Sequence, residues 1–237
     1  MIASLPMYDF AGTRTANDSL WQAIRENYGH GPLSLDRSGD PHVHWQRRDL
    51  VLSQTCGWPY RKILHGKVRL VGTPDYGVPG CPPGYYRSFI VVRRDDKRSE
   101  LDDFRDARLA RNDHRSQSGW AAVEECIRVD RLSDIIETGS HVNAMRLVAK
   151  GGADFAAIDA VTWALLERDT DETRALRILT ATSPTPGLPF ITSLHEHAGR
   201  MFSAIEHAIW KMQGADRERL MLRGLVAIPA HDYLAMP

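Results

Sequence analysis

The residues of this chain best suited to chemistry are the two hydroxyls and the glycine of Ser116-Gln117-Ser118-Gly119-Trp120. They lie between a strand-like segment, 107–110, and a helix-like segment, 120–129. Hydroxyls at a helix start stand beside backbone N–H groups that lack intrahelical partners, at the positive end of the helix dipole. Such a start can hold an oxyanion without Lys or Arg. Because ligands bind at the carboxyl ends of strands in open α/β sheets, this placement predicts an anion site.

Each candidate also has a purely structural interpretation that the sequence leaves open. Ser116 and Ser118 are of the residue type that caps helices. His141 follows a Gly-Ser pair at another predicted helix start, where it is either a surface histidine or a contact to an anion. Its cationic form is unfavourable beside a helix N-terminus unless an anion is bound there. Asp159 either meets a ligand or caps the helix that follows it.

Four further residues are candidates for a ligand-binding surface. Gln54 and Thr55 end an apolar strand, so they either line a pocket or satisfy backbone groups of the neighbouring loop. Tyr8 and Tyr86 either face a cleft or lie in the core with a solvated hydroxyl. Gln117 adds an amide within the hydroxyl motif itself.

Two histidine pairs, His42-x-His44 and His195-x-His197, suggest a metal at first sight. Residues i and i+2 of a helix do not share a face, and neither pair has a thiolate nearby in sequence. The three cysteines form no CxxC motif, and a single disulfide between Cys56 and Cys81 stays open. We therefore predict no metal, no cofactor and no catalytic residue.

The overall charge argues against nucleic acid and membrane surfaces as partners. Lys plus Arg number 30 and Asp plus Glu number 30, so the formal net charge is zero. A chain without a net field does not favour polyanions, and no segment approaches the ~20 apolar residues that a bilayer span needs. The first residues lack the basic and apolar regions of a secretory signal. A processed chain would look the same, so export stays open.

Strand-like and helix-like patterns alternate along the chain, which predicts an α/β protein with a mostly parallel sheet. Strands are predicted at 2–7, 50–55, 68–72, 86–92, 108–110, 133–137, 154–158, 176–181 and 188–192. Helices are predicted from a cap at 17–19 to residue 28 and at 43–48, 59–64, 120–129, 141–149, 160–167, 195–212 and 217–225.

Two segments are candidate passages between domains. One is the charged run 93–98 and the other is the Pro-rich run 183–187. They predict a discontinuous lobe 1, 1–93 plus 187–237, and an inserted lobe 2, 98–183. A two-lobe α/β protein with two hinge crossings offers an inter-lobe cleft that closes around a small ligand.

Taken together, the order and spacing of several segments resemble one known family. The chain resembles the phosphate/phosphonate-type substrate-binding proteins of ABC transporters, a branch of the type 2 periplasmic-binding-protein fold. The resemblance covers most of the chain and is carried by 3–8 (ASLPMY), 52–57 (LSQTCG), 86–93 (YRSFIVVR), 116–119 (SQSG), 138–141 (TGSH) and 153–159 (ADFAAID).

The resemblance implies a binding protein without a catalytic step. The family's S-x-S-G hydroxyls, matched by Ser116 and Ser118, hold phosphonate oxygens, and its G-x-H histidine, matched by His141, meets the same anion. Tyr86 matches a pocket-lining aromatic residue. Asp159 matches an acidic position that meets the rest of the ligand. Gln117 stands where the family commonly has Thr.

Three functional hypotheses follow. The first is a solute-binding protein that holds a phosphonate, phosphate or phosphate ester for an ABC transporter permease. The second is a cytosolic enzyme of the same fold, a lyase of menaquinone or cofactor biosynthesis, with His141 as general base and Asp159 as its orienting group or an acid. The third is a cytosolic ligand sensor. The resemblance favours the first and a periplasmic location, whereas the missing signal segment favours the cytoplasm.

Overall fold

The computed structural model describes residues 1–236. The chain forms two compact α/β units: unit 1 comprises residues 1–85 and 186–236, and unit 2 comprises residues 86–185. Lobe 1 as predicted included residue 237, which lies outside the described residues. Within residues 1–236, none of the helices combines the length and apolarity that a membrane crossing demands.

The strands, numbered in chain order, are β1 (Ile2–Ser4), β2 (Leu50–Gln54), β3 (Arg69–Asp75), β4 (Tyr85–Tyr86), β5 (Ser88–Arg93), β6 (Arg108–Arg111), β7 (Asp134–Glu137), β8 (Phe155–Asp159), β9 (Leu176–Ala181), β10 (Thr185–Pro186), β11 (Phe190–Thr192) and β12 (Gly224–Val226). The α-helices are α1 (Arg14–Tyr28), α2 (Pro41–Trp45), α3 (Gly57–Pro59), α4 (Ala122–Cys126), α5 (His141–Ala149), α6 (Ala160–Asp169), α7 (Ala198–Lys211), α8 (Gly214–Arg219) and α9 (Ala230–Leu234). Two π-helices, Tyr60–Leu64 and Gln117–Ala121, lead from α3 and into α4.

Unit 1 is built on a sheet of order β1-β2-β11-β3-β12, in which β1 runs parallel to β2 and the other pairs are antiparallel. Helix α1 places Trp21 and Ile24 on its buried face, one helical turn apart. They share a core with Met201 and Ile205 of α7. Burial of this apolar stripe, at ~25 cal/mol per Å², is what fixes both helices to the sheet.

Unit 2 is built on a sheet of order β7-β6-β8-β5-β9. Side chains alternate along its strands, so both faces are covered. Leu109 and Phe155 pack with Phe104 in one core cluster. Ala156, the next residue along β8, belongs to a second cluster with Met145 of α5.

The prediction of a mostly parallel sheet is wrong in both units. In unit 2, β6 pairs in parallel with β7 and β8, whereas β5 pairs antiparallel with β8 and β9. The parallel pairs are joined by helical crossovers, as parallel pairing requires. Strands β5 and β9 lie at the ends of the inserted segment and are distant in sequence, so no short crossover dictates their direction.

Two predicted element boundaries are also corrected. Helix α1 begins at Arg14 after Thr13, and not after the cap signal at 17–19. Asn17 instead lies inside the helix, where its buried amide donates to Asp9 Oδ1 at 3.1 Å. Helix α8 ends at Arg219, and Leu225, predicted as helical, lies in β12 paired with β3. In both cases tertiary pairing outweighs the local signal.

The chain passes from unit 1 into unit 2 at Tyr85–Tyr86, ahead of the predicted crossing at 93–98. The charged run instead follows β5 inside unit 2, where Arg98 pairs with Asp96 at 2.6 Å and Asp154 at 3.2 Å. The return passage at Thr185–Pro186 falls within the predicted segment 183–187. Hinge motion at these passages stays a prediction.

Candidate functional site

Three parallel strands of unit 2 position most of the candidate residues. Strand β6 lies between β7 and β8 and runs parallel to both, so the three carboxyl ends meet at one edge of the sheet. The segment with Ser116 and Ser118 follows β6, His141 follows β7, and Asp159 ends β8. Ser88 pairs in register with Asp159, which brings the start of β5 to the same edge.

The helix after β6 begins at Gln117, earlier than the predicted residue 120, and its first turn is a π-helix. Ser116 is its N-cap with extended backbone, φ −88° and ψ 134°. Its Oγ accepts from Gly119 N at 3.0 Å, and its carbonyl accepts from Ala121 N at 3.1 Å. Gln117 and Ser118 are both buried. Ser116 therefore caps the helix. The bond from Gly119 uses its oxygen as an acceptor and does not involve its hydroxyl proton.

Asn112 belongs to this site and escaped the sequence analysis. Its Nδ2 donates to Ser116 Oγ at 3.1 Å and lies 3.4 Å from His141 Nε2. Its Oδ1 occupies the space beside Gly119, where an added Cβ would come within 1.8 Å of it. A polar side chain directly after a strand is the one local signal that could have pointed to it.

Ser118 and His141 are joined directly, since Ser118 Oγ lies 2.9 Å from His141 Nε2. The backbone carbonyl of Ser118 accepts from Ser88 Oγ at 2.9 Å. The hydroxyl motif after β6 and the histidine after β7 therefore form one connected cluster with Asn112, which we call the Ser–His cluster: Asn112, Ser116, Ser118 and His141.

His141 is held at the first position of α5 by a local cap. Ser140 Oγ accepts from Asn143 N at 3.1 Å, and Thr138 Oγ1 donates to Arg111 O at 3.0 Å. Gly139 has φ +80°, a left-handed conformation that favours glycine, and it turns the chain from β7 into the helix.

The imidazole of His141 is neutral near pH 7. The residue is partly exposed as a whole, but its Nδ1 is buried. Burial lowers the pKa of His141 to about 4, and the polar backbone of Ala157 opposes that shift. A neutral ring also suits the first turn of a helix, where a cation is unfavourable.

Asp159 and Tyr86 are both buried. The Asp159 carboxylate caps α6, since its Oδ1 accepts from Val161 N at 2.7 Å and Thr162 N at 2.9 Å. This is the structural role foreseen for Asp159, and a ligand contact of either residue stays a prediction.

The remaining candidates, Tyr8, Gln54 and Thr55, lie in unit 1 and are buried there. Gln54 Nε2 donates to Leu188 O at 3.0 Å and to Tyr76 Oη at 3.1 Å. The Tyr8 ring meets the Tyr76 ring edge to face, with centroids 5.0 Å apart. These three residues therefore belong to unit 1, whereas the Ser–His cluster belongs to unit 2. Their ligand contacts stay predictions.

Charged groups flank the Ser–His cluster but are paired with one another. Arg111 binds Glu137 at 2.8 Å and stacks over the Trp120 ring at 4.4 Å. Arg115 binds Asp113 at 3.1 Å. The ligating atoms of Asp113, His114 and Glu137 lie within 4.8 Å of one another, yet both carboxylates are engaged by these arginines. The cluster itself is therefore built from neutral hydrogen-bonding groups.

The fold resembles that of several solved ligand-binding proteins. PhnD1 from Prochlorococcus marinus, in complex with methylphosphonate, matches 98% of this chain and 94% of its own at 11% identity and a TM-score of 0.76. A binding-protein component of an ABC phosphonate transporter from Pseudomonas aeruginosa matches 99% and 82% at 13% identity and a TM-score of 0.73. XAC2383 from Xanthomonas citri, bound to ATP, matches 98% and 92% at 16% identity and a TM-score of 0.67. The chain therefore has the type 2 periplasmic-binding-protein fold.

The family follows from the sequence comparison. The family model described as ABC transporter, phosphonate, periplasmic substrate-binding protein matches residues 49–231. The chain belongs to this family, whose members bind small ligands and work with permease components of transporters. No curated protein matches the sequence.

Proposed function

We propose that this protein binds a small phosphorus oxyanion at the Ser–His cluster of unit 2 and delivers it to an ABC transporter permease in the periplasm. The family supports the transport role. The oxyanion class is supported by the chemistry of the cluster and, among proteins of this fold, by PhnD1 in complex with methylphosphonate.

The observation that carries the proposal is the hydrogen-bond inventory of Ser116. Its Oγ accepts from Gly119 N at 3.0 Å and from Asn112 Nδ2 at 3.1 Å. A hydroxyl has two acceptor sites and one proton, and both acceptor sites are thus used. The Ser116 proton has no acceptor among the residues that the structure describes, so it is available to an anionic oxygen.

The lyase hypothesis has less support from the same cluster. It made His141 a general base with Asp159 as its orienting group or an acid. The described bonds of the Asp159 carboxylate go to the amides of α6, at 2.7 and 2.9 Å, and none of them goes to the imidazole.

The test is calorimetry on wild type and Ser118→Ala with methylphosphonate, inorganic phosphate and ATP. We expect at least one of these to bind and to raise the melting temperature. Ser118→Ala should weaken binding by about 1–3 kcal/mol, the cost of an unmatched polar group.

Ser99→Ala serves as the matched control, because Ser99 is an exposed serine of the same unit. It should retain the wild-type affinity. If none of the three anions binds, the proposed function fails. If they bind equally to wild type and Ser118→Ala, Ser118 is not part of the site.

A further inference from the structure

The Ser–His cluster fixes the direction of a second proton, that of Ser118. His141 Nε2 lies 2.9 Å from Ser118 Oγ and 3.4 Å from Asn112 Nδ2. The amide nitrogen can only donate, so Nε2 must be the acceptor at this point. A protonated Nε2 would instead aim its hydrogen at the amide hydrogens of Asn112.

With Nε2 as acceptor, Ser118 donates its hydroxyl proton to the ring. Its oxygen then has only lone pairs left for a ligand. Ser116 is in the opposite state, because both of its lone pairs are used and only its proton is left. The two serines therefore present one donor and one acceptor to whatever binds between them.

Resting on the proposed function, we infer that this site selects oxyanions that carry a proton. One oxygen of a monoprotonated phosphonate, phosphate or phosphate ester accepts from Ser116, while its P–OH group donates to Ser118. Sulfonates and sulfate carry no proton near neutral pH and are discriminated against, although their shape and charge are similar.

The discrimination arises because a sulfonate has no proton to donate to the Ser118 oxygen. A sulfonate oxygen would face the lone pairs of Ser118. It could be accommodated only if the Ser118 proton turned away from His141, which would leave Nε2 with the Asn112 amide, 3.4 Å away, as its one described partner. Leaving such a group poorly satisfied corresponds to a loss of ~10–100-fold in affinity.

The charged groups around His141 do not change this assignment. Asp113 and Glu137 on the adjoining strand ends are bound by Arg115 and Arg111, with His114 beside both carboxylates. Asp159, at the end of β8, accepts from the α6 amides. The low pKa of His141, which burial depresses to about 4, agrees with an unprotonated Nε2.

A dianionic phosphonate or phosphate monoester has no P–OH group, so it must gain one proton from solution before it can donate to Ser118. Binding of such a ligand therefore takes up about one proton, and above its second pKa the affinity should fall about tenfold per pH unit. Inorganic phosphate differs, because its dianion still carries one P–OH group and needs no further proton.

The experiment compares shape-matched anions on the wild-type protein by calorimetry: methylphosphonate against methanesulfonate, and phosphate against sulfate. Each pair is measured from below to above the second pKa of the phosphorus ligand, in two buffers of different ionisation enthalpy. We expect the phosphorus anion to bind ~10–100-fold tighter, with uptake of about one proton at the upper pH for methylphosphonate and none for phosphate.

His141→Ala provides a second arm, because it removes the acceptor that orients the Ser118 proton. The freed hydroxyl can then donate to either anion, so the preference for phosphorus should fall to within about threefold and the proton uptake should vanish. If this variant does not fold, the wild-type measurements decide alone. Equal affinities for phosphorus and sulfur anions, or binding of the methylphosphonate dianion without proton uptake, overturn this inference and leave the proposed function standing. Failure of every phosphorus anion to bind overturns both.

Discussion

Each unit contains a strand-to-helix connection of nearly the same composition. In unit 1 it is Ser53-Gln54-Thr55-Cys56-Gly57-Trp58, which we call the first junction, and in unit 2 it is Ser116-Gln117-Ser118-Gly119-Trp120, the second junction. Both lead from a strand toward a π-helix. The two junctions differ in what their polar groups bind.

At the first junction the described hydrogen bonds of the polar groups go to other segments of unit 1. Ser53 Oγ lies 2.9 Å from Ser4 Oγ on the neighbouring strand and accepts from Trp45 Nε1 at 3.1 Å. Gln54 donates to Leu188 O at 3.0 Å. Cys56 is the N-cap of α3 and makes no side-chain capping bond. These bonds join β2 to neighbouring segments of unit 1.

At the second junction the Ser116 hydroxyl accepts from Gly119 N and Asn112 Nδ2, and the Ser118 hydroxyl bonds the His141 imidazole. The Ser116 proton has no acceptor among residues 1–236. The extra partners, Asn112 and His141, come from the ends of β6 and β7. Residue types alone therefore do not predict which partners the polar groups of a junction bond. The difference lies in which neighbouring elements saturate the polar groups.

The largest expected effect comes from Gly119→Ala. The new Cβ would lie 1.8 Å from Asn112 Oδ1 and 3.2 Å from His141 Cε1, so Asn112 must leave its position. Ser116 then loses one donor partner and the imidazole loses its second. We expect methylphosphonate affinity, measured by calorimetry, to fall by about 100-fold or more.

Gly199→Ala, in α7 of unit 1, is the matched control, because a Cβ there meets nothing within 4 Å. It should keep the wild-type affinity and raise stability by up to about 1 kcal/mol, since Ala favours a helix over Gly. Wild-type affinity in Gly119→Ala would show that Asn112 has no part in binding.

The same residues show which parts of the site could be predicted from the sequence. Ser116, Ser118 and His141 could be named as candidates from the sequence. Hydroxyls and a histidine at predicted helix starts are local signals of an anion site. Asn112 was not, because its role depends on the pairing of β6 with β7, which brings it to His141. The strand 176–181 was predicted to the residue, whereas β12 was missed because its pairing with β3 has no local signature.

A second prediction concerns acid stability and the second junction, because Ser118 of that junction bonds the imidazole of His141 at 2.9 Å. The pKa of His141 is about 4 in the folded protein and 6.5 when the ring is exposed. Between these values the unfolded chain binds more protons, so the free energy of unfolding falls as pH decreases and levels off below about pH 4. The loss amounts to roughly 3 kcal/mol.

Urea unfolding over a pH series measures this effect on wild type, His141→Gln and His231→Gln. His141→Gln should lose less unfolding free energy than wild type as the pH decreases, because it lacks the imidazole. His231, whose side chain is 81% exposed, should be replaceable without changing it. An identical pH dependence in wild type and His141→Gln would contradict the assignment of a neutral, buried imidazole.

The smallest expected effect comes from Thr55→Val, the counterpart at the first junction of Ser118→Ala at the second. Thr55 is fully buried, and its hydroxyl has one long described bond, 3.5 Å to the Cys56 carbonyl. Because valine has the same shape and so little hydrogen bonding is lost, we expect unfolding free energy to change by less than about 1 kcal/mol. The dissociation constant for methylphosphonate should match that of wild type. If affinity instead falls as in Ser118→Ala, Thr55 contacts the ligand, and the first junction is a binding element rather than part of the scaffold.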